Sequence, residues 1–221
     1  MSARQPFCLL FDLDGTMTDT DHLHIEAHRT LLKRYGRNLT REEYMSGIMG
    51  FPNALIFPRF YPEESAGRHA ELAEEKEALF RASVTALEPA PGLMAFLDEA
   101  DRRGCKKAVV TNAPRGNAEL MLNGLGLAAR FDTLVIGDEL AHGKPHPLPY
   151  LTGLERLGGT AGRACAFEDS ASGVTAAAKA GITAFGMLMS LGEAALQNAG
   201  ASFAIKDFSD VKLHSWLEGR W

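Results

Sequence analysis

The stretch Phe7-Cys8-Leu9-Leu10-Phe11-Asp12-Leu13-Asp14-Gly15-Thr16 constrains the fold of this chain more than any other. Five consecutive apolar residues read as a strand buried on both faces, which requires a neighbouring strand on each side and covering layers above and below. Strands of this kind belong to parallel sheets, whose ligands gather beyond the carboxyl ends of the strands. Asp12 and Asp14 stand at that end, one residue apart and just ahead of a glycine. Paired carboxylates in such a place can hold a hard cation and divide two chemical jobs.

Further apolar strand candidates occur at 108–111, 133–136, 164–167 and 183–187, with amphipathic stretches between them. Strands alternating with helices of this length imply βαβ units and a parallel sheet, hence an α/β fold. Leu93, Phe96, Leu97 and Ala100 share one helical face, as do Tyr150, Leu151, Leu154 and Leu157, with Gly104 and Gly158 as stops. From about residue 18 to 88 the alternation breaks into helical patterns with no strand that could extend the sheet. Leu23, Ala27, Leu31 and Tyr35 line one helix face there, and 71–84 reads as another helix. Pro89-Ala90-Pro91-Gly92 punctuates the return. The expected organisation is a core built from 1–17 and 89–221 with a helical insert over 18–88.

At 221 residues, 46% apolar and 23% charged, the chain is an ordinary globular sequence with room for one core and a smaller insert. A formal charge of −5 argues against nucleic-acid and anionic-membrane partners, which are bound by clustered Lys and Arg. An anionic substrate must therefore be attracted by a local site. The N-terminus carries no long apolar signal-peptide region, and no transmembrane run appears. Cys8, Cys105 and Cys165 are odd in number and widely spaced, and read as buried free thiols. A reducing cytoplasm is the expected compartment, and a monomer or weak homodimer the expected state.

Three more stretches follow the first: Val109-Val110-Thr111-Asn112, Gly143-Lys144-Pro145-His146-Pro147, and Phe167-Glu168-Asp169-Ser170-Ala171-Ser172-Gly173. Glu168-Asp169 ends a strand candidate, so two more carboxylates arrive at the edge that holds Asp12 and Asp14. Gathering all four without a cation would be strongly repulsive, and hard oxygen ligands suit Mg²⁺. Thr111 and Asn112 bring a hydroxyl and main-chain N–H groups to a strand-to-helix turn, where phosphate oxygens bind. Lys144 lies in a loop stiffened by Pro145, with a charge that can offset a carboxylate and a phosphate.

These four motifs, in this order over nearly the whole chain, resemble those of the haloacid dehalogenase superfamily, most of whose members are phosphatases. The branch it resembles is that of the β-phosphoglucomutases and small sugar-phosphate phosphatases. The resemblance implies a Rossmannoid core with a parallel sheet flanked by helices, and an inserted α-helical cap that closes over the site and selects substrates. It implies Asp12 as the nucleophile that forms an aspartyl-phosphate, and Asp14 as the acid/base, its pKa raised by neighbouring carboxylates. It further implies that the Asp12 carboxylate, the Asp14 main-chain carbonyl and Asp169 contact Mg²⁺, with Glu168 contributing directly or through water.

Thr111, Asn112 and Lys144 match the phosphate-binding positions. His24, twelve residues after the nucleophile, matches a cap histidine of the related mutases and is expected at the cap hinge or beside the acid/base; a zinc role with His28 finds no completing ligand. The mutases hold a second phosphate with an arginine three residues after a cap glycine. After Gly50 that residue is Asn53, which lacks the charged bidentate grip of arginine. Cap Lys76 is a candidate substrate contact. The expected activity is a Mg²⁺-dependent phosphatase of sugar or polyol phosphates. A β-phosphoglucomutase-like isomerase or a phosphoglycolate phosphatase is the alternative.

Overall fold

The computed structural model describes residues 5–221. Its framework is a six-stranded, fully parallel sheet in the order β3-β2-β1-β4-β5-β6. The strands are β1 (Cys8–Phe11), β2 (Lys106–Thr111), β3 (Thr133–Ile136), β4 (Ala164–Glu168), β5 (Thr183–Met187) and β6 (Phe203–Ile205). β1 is central because its side chains suit both covering layers. Leu9 and Phe11 enter a cluster with Phe96, Phe167, Phe185 and Phe208, while Cys8 and Leu10 enter a second with Val110, Tyr150, Ala166 and Val174. A strand that is apolar on both faces fits only the interior of a sheet covered twice.

Helices between the strands supply those layers: α5 (Leu93–Arg102), α6 (Arg115–Gly124), α7 (Leu148–Leu157), α8 (Ala171–Lys179), α9 (Glu193–Ala199) and α10 (Val211–Leu217). α5 buries all four residues of its expected face. On α7, Tyr150, Leu154 and Leu157 are buried, but Leu151 turns outward and is 45% exposed, a correction to its expected face. One face of a ten-residue helix covers the sheet, and Leu151 lies at its margin. The stops are borne out, with Gly104 and Gly158 in the left-handed region that favours glycine.

Between β1 and α5 lie four helices, α1 (Asp21–Arg34), α2 (Arg41–Gly47), α3 (Asn53–Phe60) and α4 (Ala66–Ser83). They enclose a third cluster of their own, in which Ile25, Leu31, Tyr44, Phe57 and Leu72 are buried. α4 begins five residues before the expected start, because Ser65 caps it by accepting from the Arg68 N–H at 3.2 Å. Tyr35 is not on the buried face of α1. It follows the last helical residue, is 39% exposed, and lies under the Arg68 guanidinium. All three cysteines are buried and free. Among the described residues no helix is long and apolar enough to cross a membrane.

The chain order reverses direction across the sheet at β1, which pairs with β2 on one side and β4 on the other. That reversal opens a crevice beyond the carboxyl ends of β1, β2 and β4. The insert helices lie over this crevice and line it together with the core.

Candidate active site

Three carboxylates meet in the crevice. Oxygens of Asp12, Glu168 and Asp169, all buried, lie within 4.8 Å of one another. β1 and β4 are adjacent and in register, with Phe11 opposite Phe167, so the residues that follow each strand emerge side by side. Two glycines make the approach possible. Gly15 has φ +69°, and a Cβ there would lie 2.1 Å from Asp169 Oδ2. A Cβ on Gly173, in the first turn of α8, would lie 2.0 Å from the Glu168 carboxylate.

Lys144 joins this cluster from the loop before α7. Its Nζ donates to Asp12 Oδ1 at 2.6 Å and to Glu168 Oε1. Glu168 is held further by the Tyr150 hydroxyl at 2.7 Å and by Ser170 Oγ at 3.2 Å. Burial works against the Lys144 charge, but Asp12 and Glu168 outweigh it and hold its pKa above the ordinary value. Asp12 is the reverse case. Burial pushes its pKa well above the carboxylate range, Lys144 opposes this, and the Glu168 charge adds to the rise. Asp169 is likewise raised well above its ordinary value, by burial and then by Asp12 and Glu168. One ammonium does not balance three buried carboxylates.

Asp14 departs from expectation in two respects. Its carboxylate is not a member of the cluster; it turns to the insert, where Oδ1 accepts from Thr20 Oγ1 at 2.6 Å and lies 2.9 Å from His24 Nε2. Its pKa is lowered, not raised. Burial alone would raise it, but hydrogen bonds from His24 and Thr20 and the charges of His24 and Lys76 prevail. The Asp14 carboxylate faces donors and so escapes the crowding that raises Asp12.

The structure brings together most of the other candidates. His24 Nδ1 lies 3.3 Å from Lys76 Nζ, and its ring stacks on Phe80 at 4.0 Å. Thr111 ends β2, Asn112 follows it, and both line the same cavity as the cluster. The Asn112 side chain is already engaged within the protein. Its Oδ1 accepts from the Lys144 N–H at 3.0 Å, and its Nδ2 donates to the carbonyls of Gly50 at 3.1 Å and Lys144 at 3.2 Å. Only its main chain remains for a phosphate. Asn53 and Lys76 also line the cavity, from α3 and α4. His28 is buried near Tyr44 and Phe57, outside the carboxylate cluster.

Besides Thr20, four contributors escaped the sequence reading. Tyr150 and Glu77 sit on helix faces that periodicity assigns to packing. Ser190, in the loop after β5, lies 2.7 Å from Asp21 Oδ2 and 2.8 Å from Asp169 Oδ2. The Tyr44 hydroxyl donates to the other Asp21 oxygen at 3.1 Å. Nothing in the order of residues announces these contacts, because each joins segments distant in the chain.

Comparison with known proteins agrees with this geometry. The chain is 35% identical over 205 residues to the phosphorylated carbohydrates phosphatase of Thermotoga maritima, spanning 90% of this chain and 93% of that one. It is 33% identical over 178 residues to the fructose-1-phosphate phosphatase YqaB of Escherichia coli, spanning 80% and 93%. The crystal structure of CbbY from Rhodobacter sphaeroides in complex with phosphate superposes with a TM-score of 0.83 at 26% identity, covering 94% of this chain and 96% of that one. A family model described as haloacid dehalogenase-like hydrolase matches residues 9–187, from β1 through the end of β5. By that match and these relatives, the chain belongs to the haloacid dehalogenase-like hydrolases.

Proposed function

We propose that this hydrolase is a Mg²⁺-dependent phosphomonoesterase of small sugar or polyol phosphates, working through an aspartyl-phosphate on Asp12. The observation that carries the reading is the division of labour between the two carboxylates of the first motif. Asp12 is paired with Lys144 and crowded by Glu168, whereas Asp14, two residues on, is held apart by His24 and Thr20. The names of the two relatives above, which act on phosphorylated carbohydrates and fructose 1-phosphate, support the substrate class.

The donor set fits a hard cation. Three buried carboxylates and one ammonium leave negative charge uncompensated, and burial first, then the neighbouring carboxylates, raise the pKa values of Asp12 and Asp169. Asp12, Asp169, Glu168 and the Asp14 main-chain carbonyl would hold Mg²⁺. When bound, it neutralises these carboxylates and supplies Lewis-acid charge to the phosphoryl oxygens.

The residues divide the chemistry as follows. The Asp12 carboxylate attacks phosphorus, and the bond from phosphorus to the ester oxygen breaks. Lys144 and the main-chain N–H groups near Thr111 and Asn112 stabilise the phosphoryl oxygens. Asp14 gives its proton to the departing alkoxide, then takes one from the water that attacks phosphorus and frees Asp12. The approach of an anionic phosphate favours the protonated form of Asp14 and so readies it as the acid. In this reading residues 18–88 form the cap, with His24 positioning the acid/base Asp14 and Lys76 at the cavity wall. The same reading makes it a cytoplasmic enzyme with a small phosphorylated metabolite as its ligand.

Phosphate release across a panel of sugar phosphates, polyol phosphates and phosphoglycolate tests the proposal. Turnover on the first two classes is expected, and turnover on phosphoglycolate alone would overturn the substrate class. An isomerase would instead convert β-glucose 1-phosphate, primed with a trace of the 1,6-bisphosphate, to glucose 6-phosphate. With Asn53 in place of an arginine, the expected products are inorganic phosphate and little isomer.

A further inference from the structure

At the wall of the cavity contributed by the insert, a buried carboxylate is surrounded by donors. Glu77 on α4 is 2% exposed. Its Oε1 accepts from Asn53 Nδ2 at 2.7 Å and pairs with Lys76 Nζ at 2.7 Å, and its Oε2 accepts from Asn117 Nδ2 at 2.6 Å. Asn117, on core helix α6, is fixed from its other side by the Arg81 guanidinium, which donates to Oδ1 at 3.1 Å. Burial would raise the Glu77 pKa, but Lys76, His24 and the Asn53 amide hold it below its ordinary value.

An ionised carboxylate only accepts, so the nitrogen of the Asn53 amide is the atom that must face Glu77. Asn53 Oδ1 is then directed away from that carboxylate. Among the described residues it receives no hydrogen bond, and it is not one of the sealed polar atoms without a partner, so it remains open on a residue that lines the cavity. The cations of the lining are already paired. Lys144 is held by Asp12 and Glu168, and Lys76 by Glu77, and no arginine lines the cavity. His28 is kept neutral by burial and by the nearby charges of Lys76 and His24. The insert wall of the cavity around Asn53 therefore offers an acceptor oxygen and no unpaired cation. A hydroxyl satisfies such a wall, whereas a second phosphate, itself an acceptor, is repelled by it.

The geometry points to Asn53 Oδ1, oriented by Glu77, as the acceptor for a hydroxyl at the end of the substrate remote from its phosphate. The substrate class is a monophosphate with a free terminal hydroxyl, and bisphosphates are excluded by the same atom. Asn53 is the specificity-determining residue and Glu77 its positioning residue. The inference rests on the phosphatase reading above.

The test uses three substrates that differ only at the remote carbon: fructose 1-phosphate, its 6-deoxy analogue and fructose 1,6-bisphosphate. Wild-type protein is assayed first with p-nitrophenyl phosphate, which has no hydroxyl on its leaving group. Absence of turnover there would overturn the phosphatase reading together with this inference. Given turnover, the wild type is expected to prefer fructose 1-phosphate over both other sugars in kcat/KM, with the difference in KM. In Asn53→Leu the preference over the deoxy analogue should collapse by about five- to ten-fold, the contribution of one neutral hydrogen bond. In Glu77→Gln the Asn53 amide is released to turn its N–H₂ to the cavity, and the preference over the bisphosphate should fall. Glu77→Gln reads the same ratios if Asn53→Leu fails to fold. Ratios equal to wild type in the folded variants, with p-nitrophenyl phosphate still turned over, would overturn the assignment of Asn53 and leave the phosphatase reading standing.

Discussion

Asp12 and Asp14 are the same residue type two positions apart, yet their surroundings drive them in opposite directions. Asp12 shares a buried space with Glu168 and Asp169, and its charged form is disfavoured despite Lys144. Asp14 faces donors and its charged form is favoured. The contrast bears on Asp12→Asn. Removing a carboxylate whose ionisation the fold resists relieves repulsion, and the amide oxygen still accepts from Lys144. In the absence of Mg²⁺ the variant is expected to keep a Tm at or above that of wild type, while with Mg²⁺ present kcat falls roughly 10³-fold or more, as for loss of a nucleophile. Circular dichroism melts and phosphate release check the two halves separately; near wild-type turnover would exclude the covalent route.

The elements act by delivering short segments to one edge. β1 and β4 present their following residues side by side, and α8 begins so close to β4 that its first turn has no room for a side chain at Gly173. Gly173→Ala therefore pushes a methyl group into the Glu168 carboxylate, which Lys144, Tyr150 and Ser170 hold from other directions. Relief requires α8 or Glu168 to move. The expected cost is about 1–3 kcal/mol, a fall in Tm of about 2–12 °C, with a loss of activity larger than the loss of stability explains. A Gly173→Ala protein with full activity would show that Glu168 is free to shift. Ser170 caps α8 by accepting from the Gly173 N–H at 3.0 Å. β6 was not legible, since three residues at a sheet edge give too short a pattern to stand out from a loop.

At the scale of the molecule, a charge imbalance sits where the sheet, α8 and the insert converge. A divalent cation that binds three buried carboxylates in the folded state and finds no such arrangement in the unfolded chain must stabilise the fold. In the proposed reading, Mg²⁺ at about one hundred times its dissociation constant is expected to add roughly 2.7 kcal/mol, which for a chain of this size would raise Tm by about 5–10 °C. EDTA is expected to abolish phosphate release and remove that gain, and Mg²⁺ to restore both. Thermal shift and activity measured on the same samples check this; full activity after exhaustive chelation would overturn the metal assignment.

The apolar run of β1 and the carboxylates after it were sufficient, in one dimension, to indicate a covered parallel sheet with an acidic edge. The spacing of later strands and helices extended that to an α/β core interrupted by a helical insert. These features are local, because burial on two faces and helical periodicity are written in consecutive residues. The chemistry of the individual groups was not local. Asp14 is governed by His24 and Thr20, Asn112 is engaged by Gly50 and Lys144, and Asn53 is turned by Glu77, which Asn117 holds from the core. A pKa or the orientation of an amide depends on which donors and charges stand within a few ångströms. Those distances were decided only when the insert packed over the sheet.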